Sequence, residues 1–281
     1  MTEELAPEWR RWVVENLLRG TSDADLVEVL VGAGVDAEVA RAAVRAEAED
    51  PCLRGSLKAL GLHRKLEGLL DLYGDLYRQA EGHARVDRHE SLSREEFCDR
   101  YYFQNRPVMV RCTVVEEGSW ALERVSTLVE SLKLPGGPGN VSLVEHPELR
   151  SLLDALRPPA EYVVAAAPVL SLAPRDFSAP EVPLRENVLL GQVHGRRRLQ
   201  LVPAFELRRM RSEPAAIQRL EVELGPGELA LLPVGWWYGY QVLETSVCVS
   251  FHAFAASAPD VTWQQDPPPP GLAPAPGSRV G

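Results

Sequence analysis

Residues 220–254 decide the fold of this chain and read LEVELGPGELALLPVGWWYGYQVLETSVCVSFHAF. Residues 220–224 alternate between apolar and charged side chains, which predicts a half-buried strand. A Gly-Pro-Gly turn follows, then the short apolar run 229–232 and a second turn that contains proline and glycine. Residues 242–251 are rich in β-branched side chains and predict a third strand. Short strands joined by tight turns predict the second half of an antiparallel barrel or jelly roll.

The same stretch resembles the closing motif of the bacterial cupin-like JmjC (Jumonji) proteins. These are double-stranded β-helix proteins and typically Fe(II)- and 2-oxoglutarate-dependent oxygenases. Their pattern is a Pro-Gly-Asp/Glu turn, an apolar strand, Pro-x-Gly-Trp-Trp-His, and a strand that ends near Ser-Phe or Asn-Phe. The matching residues here are Pro226, Gly227, Glu228, Pro233, Gly235, Trp236, Trp237, Ser250 and Phe251. The pattern breaks at Tyr238, which stands where the family has an iron-binding His.

Upstream segments extend the resemblance. Residues 93–96 predict a capping box at the start of a short helix. Asn-Arg-Pro at 105–107 leads into a predicted strand over 108–112, similar to the element by which the family enters its barrel. Residues 187–193 and 196–202 predict a strand pair that resembles the family's Asn-Leu-Leu-x-Gln-Val-x-Gly-Arg-Lys-Arg hairpin.

The resemblance implies an iron site of two His and one carboxylate, but this chain lacks all three ligands. In the family a His-x-Asp/Glu motif precedes the hairpin, and alignment on Gln192 places Val182 and Leu184 at its two ligand positions. Alignment on the Pro-Leu pair instead places Arg185 at the first His. The third ligand position is Tyr238, whose phenol has an ordinary pKa of about 10 and would have to lose its proton to bind metal. We therefore expect no metal, no cofactor and no catalytic residues.

Three residues mark a candidate remnant pocket, namely Arg197, Tyr238 and Ser250. In the family a basic residue on the second hairpin strand pairs with the carboxylate of 2-oxoglutarate, and Arg197 holds that position. A guanidinium binds a carboxylate bidentately, so one interpretation is an anion pocket without a metal. The other is that residues 196–198 simply alternate between the barrel interior and solvent.

An atypical ligand set is the alternative hypothesis. His194 shares a strand face with Gln192, His252 follows the last strand, and Glu186 or Glu181 offers a carboxylate. If the barrel brings Glu186, His194 and His252 together, the chain would be an active Fe(II)/2-oxoglutarate-dependent hydroxylase of a protein or a small molecule.

The first 85 residues are predicted to be helical. Gly20 ends the first helix, and Ser22 and Asp36 are predicted N-caps of the second and third. A fourth segment begins at Pro51 and carries leucines at helical spacing. This module either packs on the next domain, which we favour, or forms a homodimer or a docking surface for a partner.

Composition and charge complete the prediction. The chain has 281 residues and a net charge of −10, which argues against nucleic-acid and anionic-membrane binding. Its four cysteines lack metal-binding spacing and are predicted to be free thiols. Without a recognisable signal peptide or an apolar run of about 20 residues, we expect a cytoplasmic protein.

The predicted fold class is α+β, with a helical module (1–85), a cupin-like JmjC double-stranded β-helix (86–258) and a disordered Pro-rich tail (259–281). The predicted function is that of a catalytically degenerate JmjC protein that binds, or acts as a scaffold for, a protein, a peptide or a small carboxylate.

Overall fold

The computed structural model describes residues 5–132, 140–164, 167–206, 209, 213, 215 and 217–257. The chain divides into two compact units, Met1–Asp75 and Leu76–Gly281, whereas the sequence predicts a division after residue 85. The predicted Pro-rich tail (259–281) lies outside the described residues.

Helices form the first unit, as the sequence predicts. They are α1 (Pro7–Arg19), α2 (Asp23–Gly32), α3 (Ala37–Glu49) and α4 (Pro51–Gln79), the last of which continues into the second unit. Gly20 ends α1 in the left-handed conformation, with φ 93°. The Asp25 amide donates to the Ser22 hydroxyl (3.3 Å), and the Glu38 amide donates to the Asp36 carboxylate (2.9 Å). Both predicted N-caps are therefore present.

The second unit contains sheet and short helices. Its strands are β1 (Asp87–His89), β2 (Val108–Arg111), β3 (Asn140–Ser142), β4 (Val169–Ala173), β5 (Ser178–Pro183), β6 (Val188–His194), β7 (Arg197–Val202), β8 (Leu220–Leu224), β9 (Glu228–Leu232), β10 (Trp237–Val242) and β11 (Ser246–Phe251). Its α-helices are α5 (Arg94–Phe97), α6 (Leu122–Ser131) and α7 (Arg150–Asp154), with a π-helical turn at Cys98–Tyr102 and 3₁₀ turns at Pro147–Leu149 and Ala204–Glu206.

The strands form two sheets, in the orders β1-β2-β9-β6-β11-β4-β3 and β5-β10-β7-β8. β1 and β2 are parallel, and the other described strand pairs are antiparallel. From β4 to β11 the chain changes sheet at every connection except that between β7 and β8. The protein is therefore a mixed helix and sheet structure, which confirms the predicted class at that level.

Strand alternation divides the larger sheet into two faces. Leu189, Leu231 and Val249 pack with α5, α6 and α7 on one face. Leu190, Leu232 and Cys248 pack on the other face against residues of the smaller sheet. This second cluster lies between the sheets, and we call it the inter-sheet core.

One predicted strand is two strands in the structure. The sequence predicts a single strand over 242–251, but β10 ends at Val242 and β11 begins at Ser246. The amides of Leu243 (2.9 Å) and Glu244 (3.4 Å) donate to the carbonyl oxygen of Arg196. These hydrogen bonds turn the chain between the two strands. Residues 243 and 244 are far in sequence from Arg196, so the periodicity of the sequence does not reveal this turn.

The turn at Gly195 depends on the absence of a side chain. Gly195 has φ 66°, and an added Cβ would overlap the carbonyl oxygen of Thr245 and lie 2.8 Å from that of Glu244. Gly118 has a similar φ of 71° but has open space around the same position.

We predict that Gly195→Ala lowers the free energy of unfolding by about 3–5 kcal/mol, because it adds backbone overlap to an unfavourable φ. Gly118→Ala is the matched control and should lower the free energy of unfolding by only about 1 kcal/mol, because its positive φ is unfavourable for alanine but no overlap is added. Chemical denaturation of both variants measures the difference. Equal losses would show that the turn at 243–245 moves aside without cost.

Candidate functional site

The residues at the three expected metal positions lie close together in the smaller sheet. β5 and β10 are neighbours, and Tyr238 is directly opposite Val182 in the register. The Leu184 amide donates to the carbonyl oxygen of Trp236 (2.9 Å), just beyond that pair. Two aliphatic side chains and a phenol offer neither imidazole nor carboxylate, so these residues do not fit an Fe(II) site.

Tyr238 is held in its neutral form. Burial of the hydroxyl raises its pKa well above the ordinary value of 10.0. The charge of Arg197, which also hydrogen-bonds this hydroxyl, acts in the opposite direction and offsets part of the shift. The phenol is therefore a hydrogen-bonding group rather than a ready anionic ligand.

Arg197 carries a charge that is buried between the two sheets. Its side chain is only 1% exposed, although it belongs to one of the residue types that are rarely buried. Nε donates to the Ser246 hydroxyl (2.7 Å), and Nη2 donates to the Ser171 hydroxyl (3.0 Å). The guanidinium carbon lies 4.6 Å from the centre of the Tyr240 ring, which itself stacks on Tyr238 at 5.6 Å.

Further neutral polar groups surround these serines. The Gln192 amide donates to the Ser246 hydroxyl (2.8 Å), and the Cys248 thiol donates to the Gln192 carbonyl oxygen (2.6 Å). Gln192, Ser246 and Cys248 are all buried. We call Arg197, Ser171, Gln192, Tyr238, Ser246 and Cys248 the Arg197 network.

Among the residues that the structure describes, no carboxylate forms an ion pair with Arg197. Its neighbours in sequence differ, because Arg196 pairs with Glu244 (2.7 Å) and Arg198 pairs with Glu223 (3.0 Å) on the exposed side of the sheet. The alternation expected for residues 196–198 is present, and it places one arginine of the three inside. This geometry agrees with the alternation interpretation, and the anion pocket stays a prediction.

Ser250, the third predicted pocket residue, lies elsewhere. Its hydroxyl is 3.0 Å from Nε2 of His252, whose Nδ1 is 2.9 Å from a carboxylate oxygen of Glu186. Ser250 is four residues along β11 from Ser246, about 13 Å. The structure therefore brings Arg197 and Tyr238 together and places Ser250 in a separate group with His252 and Glu186.

His194 does not join that group. Its Nε2 hydrogen-bonds the carbonyl oxygen of Trp120. In the register of β6 and β11, His194 pairs with Val247, whereas His252 follows Phe251 at the opposite end of the ladder. Five residues of strand separate the two levels, about 17 Å, so one metal ion cannot bind both imidazoles. Within the described ranges, no group of three His, Cys, Asp or Glu side chains has the arrangement of a metal site.

The aromatic cluster at 236–240 has mixed roles. Trp236 is buried in the core, and its Nε1 donates to the carbonyl oxygen of Asn105 (3.0 Å). All four cysteines are free thiols, but only Cys248 is buried; Cys98 and Cys112 are partly exposed, and Cys52 is exposed. Periodicity did not reveal Ser171 and Ser246 as partners of Arg197, or Gln192 as a partner of Ser246. One signal was available in the sequence: small polar side chains occupy alternate positions of the strand Ser246–Phe251, which indicates a polar group facing that strand.

No helix in the described part of the chain is long and apolar enough to cross a membrane.

No protein-family model and no curated protein matches the sequence. Among solved structures, the chain is similar to YcfD, a ribosomal oxygenase from Escherichia coli, with 16% identity and a TM-score of 0.40 over 66% of this chain and 62% of that one. A second YcfD structure, in complex with cobalt and succinic acid, gives 17% identity and a TM-score of 0.41 over 60% of this chain and 53% of that one. The chain thus spans 53–62% of these proteins' length. At these scores, neither family nor activity follows from the similarity.

We predict that Tyr238 does not ionise in the folded protein under conditions that ionise an exposed tyrosine. Because its folded pKa lies above the unfolded value of about 10, its contribution to stability is complete below that pH and is lost as the pH rises above it. Ultraviolet titration of tyrosinate should therefore give the same curve for the wild type and Tyr238→Phe until the protein unfolds. One fewer phenolate in the variant near pH 10 would contradict the buried, neutral hydroxyl.

Proposed function

We propose that the second unit is a JmjC-like double-stranded β-helix without iron chemistry, and that it binds a small carboxylate through Arg197. The observation that carries this proposal is the buried guanidinium, which has neutral hydrogen-bond partners and no carboxylate partner among the described residues.

The strand order supports the proposed fold. Eight strands, β4 to β11, form the orders β9-β6-β11-β4 and β5-β10-β7-β8. The chain changes sheet at every connection but one, which is the arrangement of a jelly roll made of two facing sheets. The closing motif that resembles the JmjC proteins occupies β8 to β11 of this order.

The cost of burying a charge supports an anionic ligand. A guanidinium transferred from water into an apolar core loses several kcal/mol of solvation unless it is paired. The hydroxyls of Ser171, Ser246 and Tyr238 and the Tyr240 ring compensate only part of that loss, because they carry no net charge. A carboxylate would supply the missing charge, and its two oxygens match the guanidinium bidentately.

The position of Arg197 favours a small ligand over a protein or a peptide. A side chain that is 1% exposed between two sheets is reached only by a molecule that enters the inter-sheet core. A protein or peptide surface would more readily meet Arg196 and Arg198, which are exposed and already paired with glutamates.

The loss of iron chemistry is supported by the residues at the ligand positions. The side chains of Val182, Leu184 and Tyr238 do not fit Fe(II). They therefore cannot hold the iron that an oxygenase reaction requires. Their place in the sheet, with Tyr238 hydrogen-bonded to Arg197, suits a site that retains carboxylate binding without the metal.

One contact favours the alternative of an active Fe(II)/2-oxoglutarate-dependent hydroxylase. Glu186 and His252 are 2.9 Å apart and offer one carboxylate and one imidazole. A ligand set built on this pair requires a third donor and predicts metal-dependent binding of the carboxylate.

We predict that metal-free protein, prepared with a chelator, binds succinate or 2-oxoglutarate, and that Arg197→Met weakens the binding at least about 30-fold because it removes a charge-assisted, bidentate partner. Methionine approximates the length of the arginine stem, and apolar replacement of a buried charge is often tolerated in folding. Isothermal titration calorimetry measures each affinity, with inorganic phosphate as a second anion to test selectivity for carboxylate.

Arg198→Met is the matched control, because it removes an adjacent but exposed arginine and should change the affinity less than about twofold. Arg197→Lys keeps the charge without the bidentate geometry and should fall between the wild type and Arg197→Met. Absence of carboxylate binding by the metal-free wild type, or equal losses in Arg197→Met and Arg198→Met, would contradict the proposal. Binding that appears only with added Fe(II) would favour the alternative.

A further inference from the structure

The ends of two neighbouring strands bring three side chains into one chain of hydrogen bonds. β6 and β11 are antiparallel, with Leu190 opposite Ser250, so residues just before β6 lie beside residues just after β11. Glu186 and His252 occupy these two places. Nδ1 of His252 is 2.9 Å from a carboxylate oxygen of Glu186, and its Nε2 is 3.0 Å from the hydroxyl oxygen of Ser250. We call Ser250, His252 and Glu186 the Ser250 triad.

These hydrogen bonds fix which imidazole nitrogen carries the proton. An ionised carboxylate can only accept, so Nδ1 of His252 donates to Glu186. Nε2 of the neutral imidazole then accepts the hydroxyl proton of Ser250. The competing acceptor, the carbonyl oxygen of Val169, is farther from the hydroxyl at 3.5 Å. The hydroxyl, the imidazole and the carboxylate therefore stand in the order of a nucleophile, a general base and the group that orients the base.

Solvent reaches the Ser250 triad directly. The His252 side chain is 31% exposed, the Glu186 side chain is 60% exposed, and Ser250 is partly exposed. Ser250 and His252 are two residues apart, so the end of β11 presents both on one face. A substrate can therefore meet the hydroxyl and the imidazole together without entering the inter-sheet core, unlike a ligand of Arg197.

We infer that the Ser250 triad hydrolyses carboxylic esters. Ser250 is the nucleophile, His252 is the general base, and Glu186 is a positioning residue that holds the imidazole in the required tautomer. The observation that carries this inference is the continuous hydrogen-bond chain from the Ser250 hydroxyl to the Glu186 carboxylate. The reaction does not depend on carboxylate binding by Arg197 and needs no metal.

Each step of the reaction balances with water as the co-reactant. As Oγ of Ser250 forms a bond to the ester carbonyl carbon, Nε2 of His252 takes the hydroxyl proton. The bond from that carbon to the alcohol oxygen then breaks, the oxygen keeps the electron pair, and Nε2 gives it the proton. Water next attacks the acyl-serine and gives a proton to Nε2. The Ser250 oxygen leaves the carbonyl carbon and recovers that proton, which releases the carboxylic acid.

Phenol esters of small carboxylic acids are the substrate class that suits this site. A phenolate leaves without full protonation, whereas an amine must receive a proton as it leaves, so the ester places a smaller demand on His252. A small acyl group can reach the partly exposed Ser250 from solvent.

We predict that the full chain, kept in a chelator, hydrolyses p-nitrophenyl acetate, and that diisopropyl fluorophosphate labels it on Ser250. Peptide mass spectrometry locates the label, and release of p-nitrophenolate measures the rate. Ser250→Ala and His252→Ala should each lower kcat/KM at least about 100-fold, and the double variant should lose no more than either, because the two residues act as a unit. The matched control is Ser142→Ala, which changes another partly exposed strand serine, whose hydroxyl accepts from the Glu145 amide (3.4 Å), and should keep the wild-type rate.

The positioning role of Glu186 is tested by two substitutions. Glu186→Gln removes the charge that holds the tautomer and should lower kcat about 10-fold or more, with KM changed less than about twofold. Glu186→Asp keeps the charge and should retain more of the rate than Glu186→Gln. A merely structural contact would give the opposite order, because Gln keeps the length of the side chain and Asp does not.

Four results would each overturn the inference: a fluorophosphonate that does not label Ser250, hydrolysis by Ser250→Ala within about threefold of the wild type, equal loss in Ser142→Ala, or hydrolysis that requires added metal. The labelling experiment uses only the wild type, so it decides the question even if a variant does not fold.

Discussion

A positive charge buried between two sheets is the constraint on which the rest of the second unit depends. Arg197 is 1% exposed and cannot leave the inter-sheet core without reversing the alternation of β7, which also buries Leu199 and Leu201. The charge requires polar partners at the facing strand positions. Ser171 on β4 and Ser246 on β11 fill two of them, and Tyr238 on β10 supplies a third.

The same register places Tyr238, an expected metal position, beside both Val182 and the strand that carries Arg197. β10 lies between β5 and β7, so Tyr238 faces Val182 on one side and Leu201 on the other. Val182 and Tyr238 offer no charged ligand at these paired positions. Arg197 lies four positions along β7 from Leu201, and its hydrogen bonds to Ser171 and Ser246 involve no residue of β5. The proposed binding of a carboxylate by Arg197 therefore does not require a metal ligand at Val182 or Tyr238.

Local features of the structure were predictable from the sequence, and long-range ones were not. The caps at Ser22 and Asp36 and the capping box at Ser93 involve residues two or three positions apart, so their chemistry is visible in a short window. The resemblance to JmjC proteins located the hairpin of β6 and β7 and singled out Arg197. Ser171 and Ser246, however, are 26 and 49 residues from Arg197, and only the pairing of β4, β6 and β11 brings them to it. The break between β10 and β11 was missed for the same reason, since the carbonyl oxygen of Arg196 causes it from across the turn.

The central claim is that this chain retains a carboxylate site but has no iron site, and an anaerobic titration with Fe(II) in the presence and absence of 2-oxoglutarate tests it most directly. An Fe(II)/2-oxoglutarate complex gives a weak visible charge-transfer band, which reports metal and carboxylate bound together. The account predicts no band and no stoichiometric iron, with 2-oxoglutarate binding unchanged by the metal. A stoichiometric band, lost in Glu186→Gln or His252→Ala, would contradict it and show that the chain assembles an atypical iron centre.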